Sequence, residues 1–450
     1  MNSQPAWSSA ENQNPDQRAE RRRTEAMARF LHGFMLGVPP APRASVPDSA
    51  TEIQPESPEA ADALRRGVAE ALELINNDQL HRQRARPDVA IADYTQVVEQ
   101  YGSDSDTEVR QLVALARFAR GAATSHGDDA DAEVADFTTL IEQYGADSDL
   151  ALRQLVACAL RERAFLRRWR GATDAARTDY TAVAERYGTD GDLALQRHVA
   201  RALCGRGLSQ PSVEAAIADY TMVVERYGLD GDLELRREVA SALLHRGSTL
   251  ERADRDAALA DYAEVVARYG ADSAPVLRLS VATAMVKNAR LSSSENRFAA
   301  QIELFSQVVG IYSEDADQRI RRVVASALHQ RGLRYGSVSK VDEAIADFTM
   351  VVERYSGDEG AESRLLVADA LSARAARHGQ RGDLDAAIAD NTTIVERYRR
   401  DVGALLRLKV RSALDRRADL HERRGDQTAG AADRALAEAL DGAELAVDHP

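Results

Sequence analysis

One segment of this chain recurs along most of its length, and the repetition restricts the fold more than any other feature. The stretch IADYTMVVERYG at 217–228 has close copies at 91–102, 134–145 and 259–270, and weaker copies elsewhere. A catalytic motif usually occurs once or twice, whereas a unit that must stack on copies of itself occurs many times. The sequence therefore predicts a tandem array of one structural unit.

The unit has a fixed internal spacing. In one copy Asp219 is followed by Tyr227, then by Val239 and Ala242, and every copy keeps the tyrosine, the valine and the alanine at the same intervals. The reference positions are Asp93, Asp136, Asp179, Asp219, Asp261, Leu304, Asp347 and Asp390, at intervals of 40 to 43 residues. Length varies only between the valine segment and the next reference position. This pattern is typical of two helices joined by an adjustable loop.

Both segments of the unit have helical periodicity. We call the valine segment the first helix, in which Val239, Ala242 and Leu243 share one face, and the segment with the reference aspartate the second helix, in which Ile217 and Tyr220 share one face. Aromatic residues make up only 5% of the chain and alanine is abundant. Such a composition favours closely packed helices over sheets.

An acidic turn, GLDGD at 228–232 in one copy, separates each second helix from the next first helix. We expect Gly228 to adopt the left-handed conformation that ends a helix, and Asp232 to cap the following helix. The turn resembles the start of a calcium-binding EF-hand loop, but that loop needs a glutamate at its twelfth position. Counting from Asp190, the twelfth residue is Arg201. The sequence therefore predicts no metal site and no cofactor.

The stretch GDLDAAIADNTTIVERY at 382–398 resembles the second half of a tetratricopeptide repeat. The matching positions are Gly382–Asp383, Ala387, Asn391 and Ile394 in the second helix, and Ala370, Leu371 and Ala375 in the first helix. The family has an aromatic residue at the position of Asn391, and so do the other seven copies in this chain. Asn391 therefore departs from both. The period of about 43 residues exceeds the usual ~34 and is similar to that of the long-period bacterial variant.

The resemblance covers about 64–441 and implies an all-α fold, a right-handed superhelical α-solenoid of about nine helix hairpins. We assign 59–441 to the solenoid and 442–450 to a C-terminal tail. Residues 1–58 have the composition of a mostly disordered tail, within which 24–36 have the spacing of a short helix. That helix could dock on the array or on a partner, or the whole tail could be inert.

Arginine lies seven residues after the valine in seven of eight copies. The exception, Asn288, belongs to the copy in which Leu304 replaces the reference aspartate. This joint loss predicts ion pairs, namely Arg206 with Asp219, Arg246 with Asp261, Arg331 with Asp347 and Arg374 with Asp390. Removing one partner of a half-buried pair would cost about 3 kcal/mol, and of an exposed pair less than about 1 kcal/mol. We favour the half-buried case.

In tetratricopeptide arrays the first helices line the concave surface, so the resemblance implies that the face opposite the valine stripe meets a partner. On that face lie Phe118, Arg161, Phe165, Arg197, Arg201, Leu208, Arg237, Leu244, Val286, Arg290, Arg322 and Leu333. First helices are rich in arginine, whereas second helices and turns are acidic. One interpretation is a basic, partly apolar groove for an acidic protein or peptide. The alternative is that each hairpin neutralises its own charges.

The sequence favours a non-catalytic scaffold that binds a protein or a peptide. It contains no metalloprotease, nucleophile-elbow, phosphate-loop or dinucleotide motif, so we expect no enzymatic activity. A second hypothesis is RNA or single-strand binding, with Phe118, Phe165 and Trp169 stacking on bases. The net charge of −14 makes nucleic acid an unlikely partner and argues against a membrane surface. A third hypothesis is a sensor that changes shape around a peptide.

Localisation follows from the cysteine content and from hydropathy. Cys158 and Cys204 are too few for a disulfide framework and favour a reducing, cytoplasmic compartment. No apolar run approaches the roughly 18 residues that a membrane span requires.

Overall fold

A computed structural model of the chain describes residues 91, 94–95, 97–99, 101–103, 105–124, 130–292, 297–358, 360–401 and 403–445. The predicted tail at 1–58, its helix at 24–36 and the start of the array at 59–90 lie outside the described residues. Within the described ranges the chain is helical and contains no strand. No helix in those ranges is both long enough and apolar enough to cross a bilayer.

The chain divides into two compact units, Met1–Ala242 and Leu243–Pro450. The first unit contains α1 (Thr107–Thr124), α2 (Ala130–Tyr144), α3 (Leu150–Trp169), α4 (Thr173–Tyr187), α5 (Leu193–Gly207) and α6 (Val213–Tyr227). The unit boundary falls inside α7 (Leu233–Leu250). The second unit contains α8 (Arg255–Tyr269), α9 (Pro275–Leu291), α10 (Arg297–Tyr312), α11 (Gln318–Ser337), α12 (Val341–Tyr355), α13 (Ala361–Arg381), α14 (Leu384–Tyr398), α15 (Ala404–Arg424) and α16 (Gln427–Leu445).

Odd-numbered helices are the first helices of the hairpins and even-numbered helices are the second helices. Within each unit every helix packs on the next one in sequence, and first helices also pack on neighbouring first helices, as α1 does on α3 and α13 on α15. The fold is an all-α solenoid. The predicted end of the array at 441 lies inside α16, which runs to Leu445.

The repeated apolar positions form the core of each unit. In the first unit Val199 and Leu203 of α5 and Tyr220 and Val223 of α6 are each at most 1% exposed. Gly207 of α5 allows the ring of Tyr220 to lie against the helix backbone, because a Cβ at this position would lie 2.6 Å from the ring. The small residue on the first helix and the ring on the second therefore fix how closely the two helices approach.

Aspartates of the acidic turns cap several of the first helices, whereas α9, α13 and α15 begin without a side-chain cap. The Asp232 carboxylate accepts a hydrogen bond from the backbone N–H of Leu235 at 3.0 Å, and Asp192 accepts one from Leu195 at the same distance. These bonds satisfy N–H groups that have no partner within the helix. The prediction that Asp232 caps the following helix is confirmed.

The prediction for Gly228 is wrong. Its φ angle is −62°, in the right-handed helical region. The chain leaves α6 through a tight turn in which the N–H of Asp230 donates to the carbonyl of Tyr227 at 3.0 Å, so no left-handed residue is needed. Left-handed glycines instead end first helices, at Gly382 with φ 86° and at Gly425 with φ 93°.

Candidate partner-binding surface

The repeated arginines join three helices each. The guanidinium of Arg206 donates from Nη2 to Asp219 at 2.6 Å, and from Nη1 to the hydroxyl of Thr181 on the preceding second helix at 3.4 Å. The Asp219 side chain is 5% exposed and that of Arg206 16%. The same contact joins Arg246 to Asp261, Arg331 to Asp347 and Arg374 to Asp390, with N–O distances of 2.6 to 2.7 Å. These groups face each other in half-buried sites and are not presented to a partner.

The hydroxyl that completes this contact was not predicted. It belongs to Thr95, Thr138, Thr181, Ser306, Thr349 or Thr392, two residues after the reference position. Where Asn288 replaces the arginine, both acceptors have changed as well, because Ala263 and Leu304 stand at the hydroxyl and aspartate positions. The loss of all three polar groups in one copy was visible in the sequence and would have identified the third member.

The last helix contains a further pair that the sequence analysis missed. Arg417 of α15 donates to both carboxylate oxygens of Asp433 of α16, at 2.8 and 2.5 Å. Asp433 lies 43 residues after Asp390, the last reference position we assigned. This helix has Arg434 where the other copies, except the one with Asn391, have an aromatic residue, but it keeps the aspartate.

The carboxylates of the acidic turns are also engaged within the chain. Asp190 accepts hydrogen bonds from the backbone N–H of Asp192 at 2.8 Å and from Arg153, and these contacts lower the pKa of Asp190. The guanidinium of Arg153 also lies 5.7 Å from the ring centre of Tyr187. In the part of the chain that the structure describes, no group of three or more His, Cys, Asp or Glu side chains could hold a metal ion.

The twelve residues predicted to face a partner differ in exposure. Phe118, Arg161, Arg201 and Val286 are buried; Arg197, Leu244, Arg237, Arg322 and Leu333 are partly buried; Phe165, Leu208 and Arg290 are exposed. The four buried positions correct the prediction. They lie in the interior of their helices, whereas the exposed positions lie near the C-terminal ends of theirs.

Two of these corrections remove apolar candidates from the surface. Phe118 is 3% exposed and packs against Phe137, with ring centres 5.4 Å apart. Val286 is 7% exposed and belongs to the core of the second unit. Phe118 is therefore unavailable for stacking on a nucleic-acid base.

The arginines predicted to form a basic groove in the first unit have carboxylates of this chain as neighbours. Arg197 donates from Nε to Asp232 at 3.0 Å, Arg201 donates to Glu238 at 3.2 Å, and Arg237 donates to Glu238 at 2.7 Å. Burial opposes ionisation of Asp232, but the hydrogen bonds from Arg197 and from the backbone N–H groups of the helix start, together with the charge of Arg197, outweigh it, so the pKa of Asp232 is lowered. For Arg197 and Arg201 the neutralising carboxylates come from the cap and the body of the following first helix, and for Arg237 from its own helix, rather than from across the hairpin.

Large apolar side chains remain exposed near the ends of α3 and α5. Phe165 is 50% exposed, Trp169 78% and Leu208 43%. Phe165 and Leu208 occupy equivalent positions on two first helices that pack together. We call these three residues the apolar end patch. Exposed aromatic and aliphatic side chains at one place on a surface are typical of sites that bind another protein.

The buried titratable groups nearby are not placed to react with a substrate. His198 is fully buried, and burial followed by the charges of Arg161 and Arg201 holds its pKa well below the ordinary value. Burial likewise raises the pKa of the Cys204 thiol well above its ordinary value. A buried thiol that stays protonated at neutral pH is a poor nucleophile.

Comparisons with known proteins add no function. No protein-family model matches the chain, and no curated protein matches it. Among solved structures, a Rap protein complexed with competence and sporulation factor is 12% identical, with a TM-score of 0.41, covering 85% of this chain and 98% of that one. An engineered protein is 15% identical, with a TM-score of 0.38, covering 88% and 95%. At these TM-scores neither likeness carries an argument about this chain.

Proposed function

We propose that the chain is a tetratricopeptide-like scaffold that binds a protein or peptide partner on its first helices and performs no catalysis. The observation that carries this proposal is the apolar end patch. Phe165, Trp169 and Leu208 expose large side chains that the fold does not use, whereas the repeated polar residues hold helices together. Residues that differ between copies and remain exposed are free to be selected for a partner.

The proposal does not extend to nucleic acid. Arg197, Arg201 and Arg237 have carboxylates of this chain within hydrogen-bonding distance, so they offer little excess positive charge to phosphates. For the same reason an acidic partner is not favoured on this part of the first unit. The bacterial-type repeat and the two free, buried cysteines support a bacterial, cytoplasmic protein.

The test compares two triple variants of the full chain. The patch variant carries Phe165→Ser, Trp169→Ser and Leu208→Ser. The matched control carries Val213→Ser, Met222→Ser and Leu229→Ser, which also remove exposed apolar side chains from the first unit, with exposures of 44%, 45% and 103%. Each protein is immobilised and exposed to lysate of the native host, and captured proteins are quantified by mass spectrometry.

We expect the wild type and the control variant to capture the same partner and the patch variant to lose it. Far-UV circular dichroism establishes that all three are folded. Equal capture by the patch variant, or loss in the control variant alone, would contradict the proposal. Capture of nucleic acid that is abolished by moderate salt would favour the rejected alternative.

A further inference from the structure

Among the repeats that precede α16, one lacks the aromatic ring that fills the second helix of the others. At this position Tyr220, Tyr262 and Phe348 are at most 1% exposed, and each ring lies against a glycine of the preceding first helix. In α14 the position is Asn391, opposite Ala375. An alanine at the opposite position does not by itself require that asparagine replace the ring. Two other copies combine an alanine with a buried ring, Ala164 with Tyr180 and Ala289 with Phe305.

Asn391 is buried and has an unused acceptor. It is 1% exposed, and its Nδ2 donates to the carbonyl of Ala387 at 2.8 Å. This bond orients the amide, and Oδ1 then has no hydrogen-bond partner among the described residues. A buried acceptor without a partner is unfavourable. Ordered water or a ligand atom supplies the partner of such a group.

A cleft of about 280 Å³ opens where the ring is missing. Asn391 lines it together with Ala375, Gly379 and Leu420, and Arg416 and Arg423 of α15 lie at its mouth. The volume approaches the lower limit of small-ligand pockets, about 300 Å³. We call this cleft the Asn391 slot. Its lining combines apolar side chains with the polar side chains of Asn391, Gln380 and Asp419, and it lies where the other copies place an aromatic side chain.

The mouth of the slot has an excess of positive charge. Arg416 and Arg423 are exposed, and neither forms an ion pair with any residue that the structure describes. Asp419 also lines the slot, but its carboxylate accepts a hydrogen bond from Arg434 at 2.9 Å. The neighbouring exposed arginines Arg381 and Arg424 differ, because each donates to an aspartate of a second helix.

We propose that the Asn391 slot binds the tyrosine side chain of an acidic peptide. The ring takes the place that a tyrosine or phenylalanine of the chain fills in the other copies. The phenol hydroxyl donates a hydrogen bond to Oδ1 of Asn391, and carboxylates flanking the tyrosine meet Arg416 and Arg423. This inference rests on the proposed peptide-binding function and assigns it a site in the second unit.

The experiment measures peptide binding to the full chain by isothermal titration calorimetry. The probe is an acetylated and amidated pentapeptide, Asp-Glu-Tyr-Glu-Asp. A second peptide has phenylalanine in place of tyrosine, and a third has lysines in place of the acidic residues. We expect the tyrosine peptide to bind about five- to tenfold more tightly than the phenylalanine peptide, since only tyrosine satisfies the buried acceptor. The lysine peptide should not bind.

Two variants at the asparagine separate shape from hydrogen bonding. Asn391→Phe places a ring in the slot, as in the copy with Ala289 and Phe305, and should weaken binding by at least about tenfold. Asn391→Ala keeps the slot open but removes the acceptor, so its preference for tyrosine over phenylalanine should disappear. Because alanine is tolerated in helices, this variant keeps the test valid if Asn391→Phe does not fold.

A charge variant tests the mouth of the slot. Arg416→Gln with Arg423→Gln should weaken binding of the acidic peptide and make it less sensitive to salt. The matched control, Arg381→Gln with Arg424→Gln, removes two exposed arginines that already have partners and should leave affinity unchanged.

The outcomes distinguish the slot from the broader function. The slot proposal is overturned if folded Asn391→Phe binds the tyrosine peptide with unchanged affinity, or if the tyrosine and phenylalanine peptides bind the wild type equally well. Peptide binding would then occur elsewhere on the chain. No binding of any peptide, with partner capture that still depends on the apolar end patch, overturns the slot and leaves the scaffold. Failure of both experiments overturns both proposals.

Discussion

The half-buried ion pair between Arg331 and Asp347 should be strongly coupled. The guanidinium donates from Nε and Nη2 to the two carboxylate oxygens at 2.8 and 2.7 Å, and from Nη1 to Ser306 at 3.0 Å. The Asp347 side chain is only 3% exposed and that of Arg331 13%. Loss of the arginine would therefore leave a carboxylate that water can scarcely reach.

The expected magnitudes follow from this burial. Arg331→Met should lower the free energy of unfolding by about 3–5 kcal/mol, because the carboxylate loses its counter-charge. Asp347→Asn should cost less, about 2 kcal/mol, because its amide oxygen still accepts one bond and the guanidinium keeps Ser306. The double variant removes both charges, so the coupling energy should be about 2–3 kcal/mol.

The control is an exposed ion pair with the same chemistry. Arg381 and Asp342 lie 2.7 Å apart, but their side chains are 58% and 79% exposed. The same cycle on that pair should give a coupling below about 1 kcal/mol. Urea unfolding followed by circular dichroism gives the free energies, and hydrogen exchange of the second unit checks for partial unfolding, to which repeat arrays are prone.

The variant without the arginine should also respond to pH in a defined direction. Burial raises the pKa of Asp347 above its ordinary value of 3.8, whereas Arg331 lowers it. Without Arg331 the folded-state pKa rises further above the unfolded-state value. The folded state then binds more protons, so Arg331→Met should lose stability relative to the wild type as the pH rises from 3.8 through the folded-state pKa.

The reasoning would be refuted if the buried and exposed pairs gave equal coupling. It would also be refuted if the stability difference between Arg331→Met and the wild type shrank as the pH rose through the same window. Either result would mean that water screens Asp347 in the folded protein as well as it screens Asp342.

Three smaller predictions concern individual contacts of the first unit. Gly207→Ala should lower stability by about 1–3 kcal/mol through overpacking against Tyr220, whereas Gly231→Ala, with no atom within 4 Å of the added Cβ, should not; urea unfolding compares them. Asp192→Ala should cost about 1 kcal/mol by removing a helix cap, visible as faster hydrogen exchange at the start of α5. Tyr227→Phe removes a 2.7 Å hydrogen bond to a glutamine side chain and should lower the free energy of unfolding in urea by about 1 kcal/mol.

Features that depend on neighbours in the sequence were predictable. The cap at Asp232 needed only the order of residues around one helix start. The contact of Arg206 with Asp219 could be predicted because one copy, with Asn288 and Leu304, had lost both groups. The left-handed conformation expected of Gly228 was wrong, because a glycine permits that conformation without requiring it.

The surface was harder to predict than the hairpin. Helical periodicity showed which face of a first helix meets its own second helix, so the opposite face was expected to be exposed. Phe118 and Val286 lie on that opposite face and are nonetheless buried: Phe118 packs against Phe137 of its own second helix, and first helices also pack on neighbouring first helices. The sequence of one hairpin does not show how closely the next hairpin packs against it, and this packing decides which side chains are buried.

Repetition in the sequence was enough to establish an all-α array of hairpins, because each local choice of residue recurs with the same spacing. Packing between hairpins determined which side chains remain available. It placed Arg197 and Arg201 of α5 beside carboxylates and left Phe165 exposed. In the sequence, Asn391 was only a departure from the family pattern. The structure shows that Asn391 lines an open slot and has an acceptor without a partner among the described residues. Burial and charge compensation depend on residues far apart in sequence, so the three-dimensional arrangement decides them.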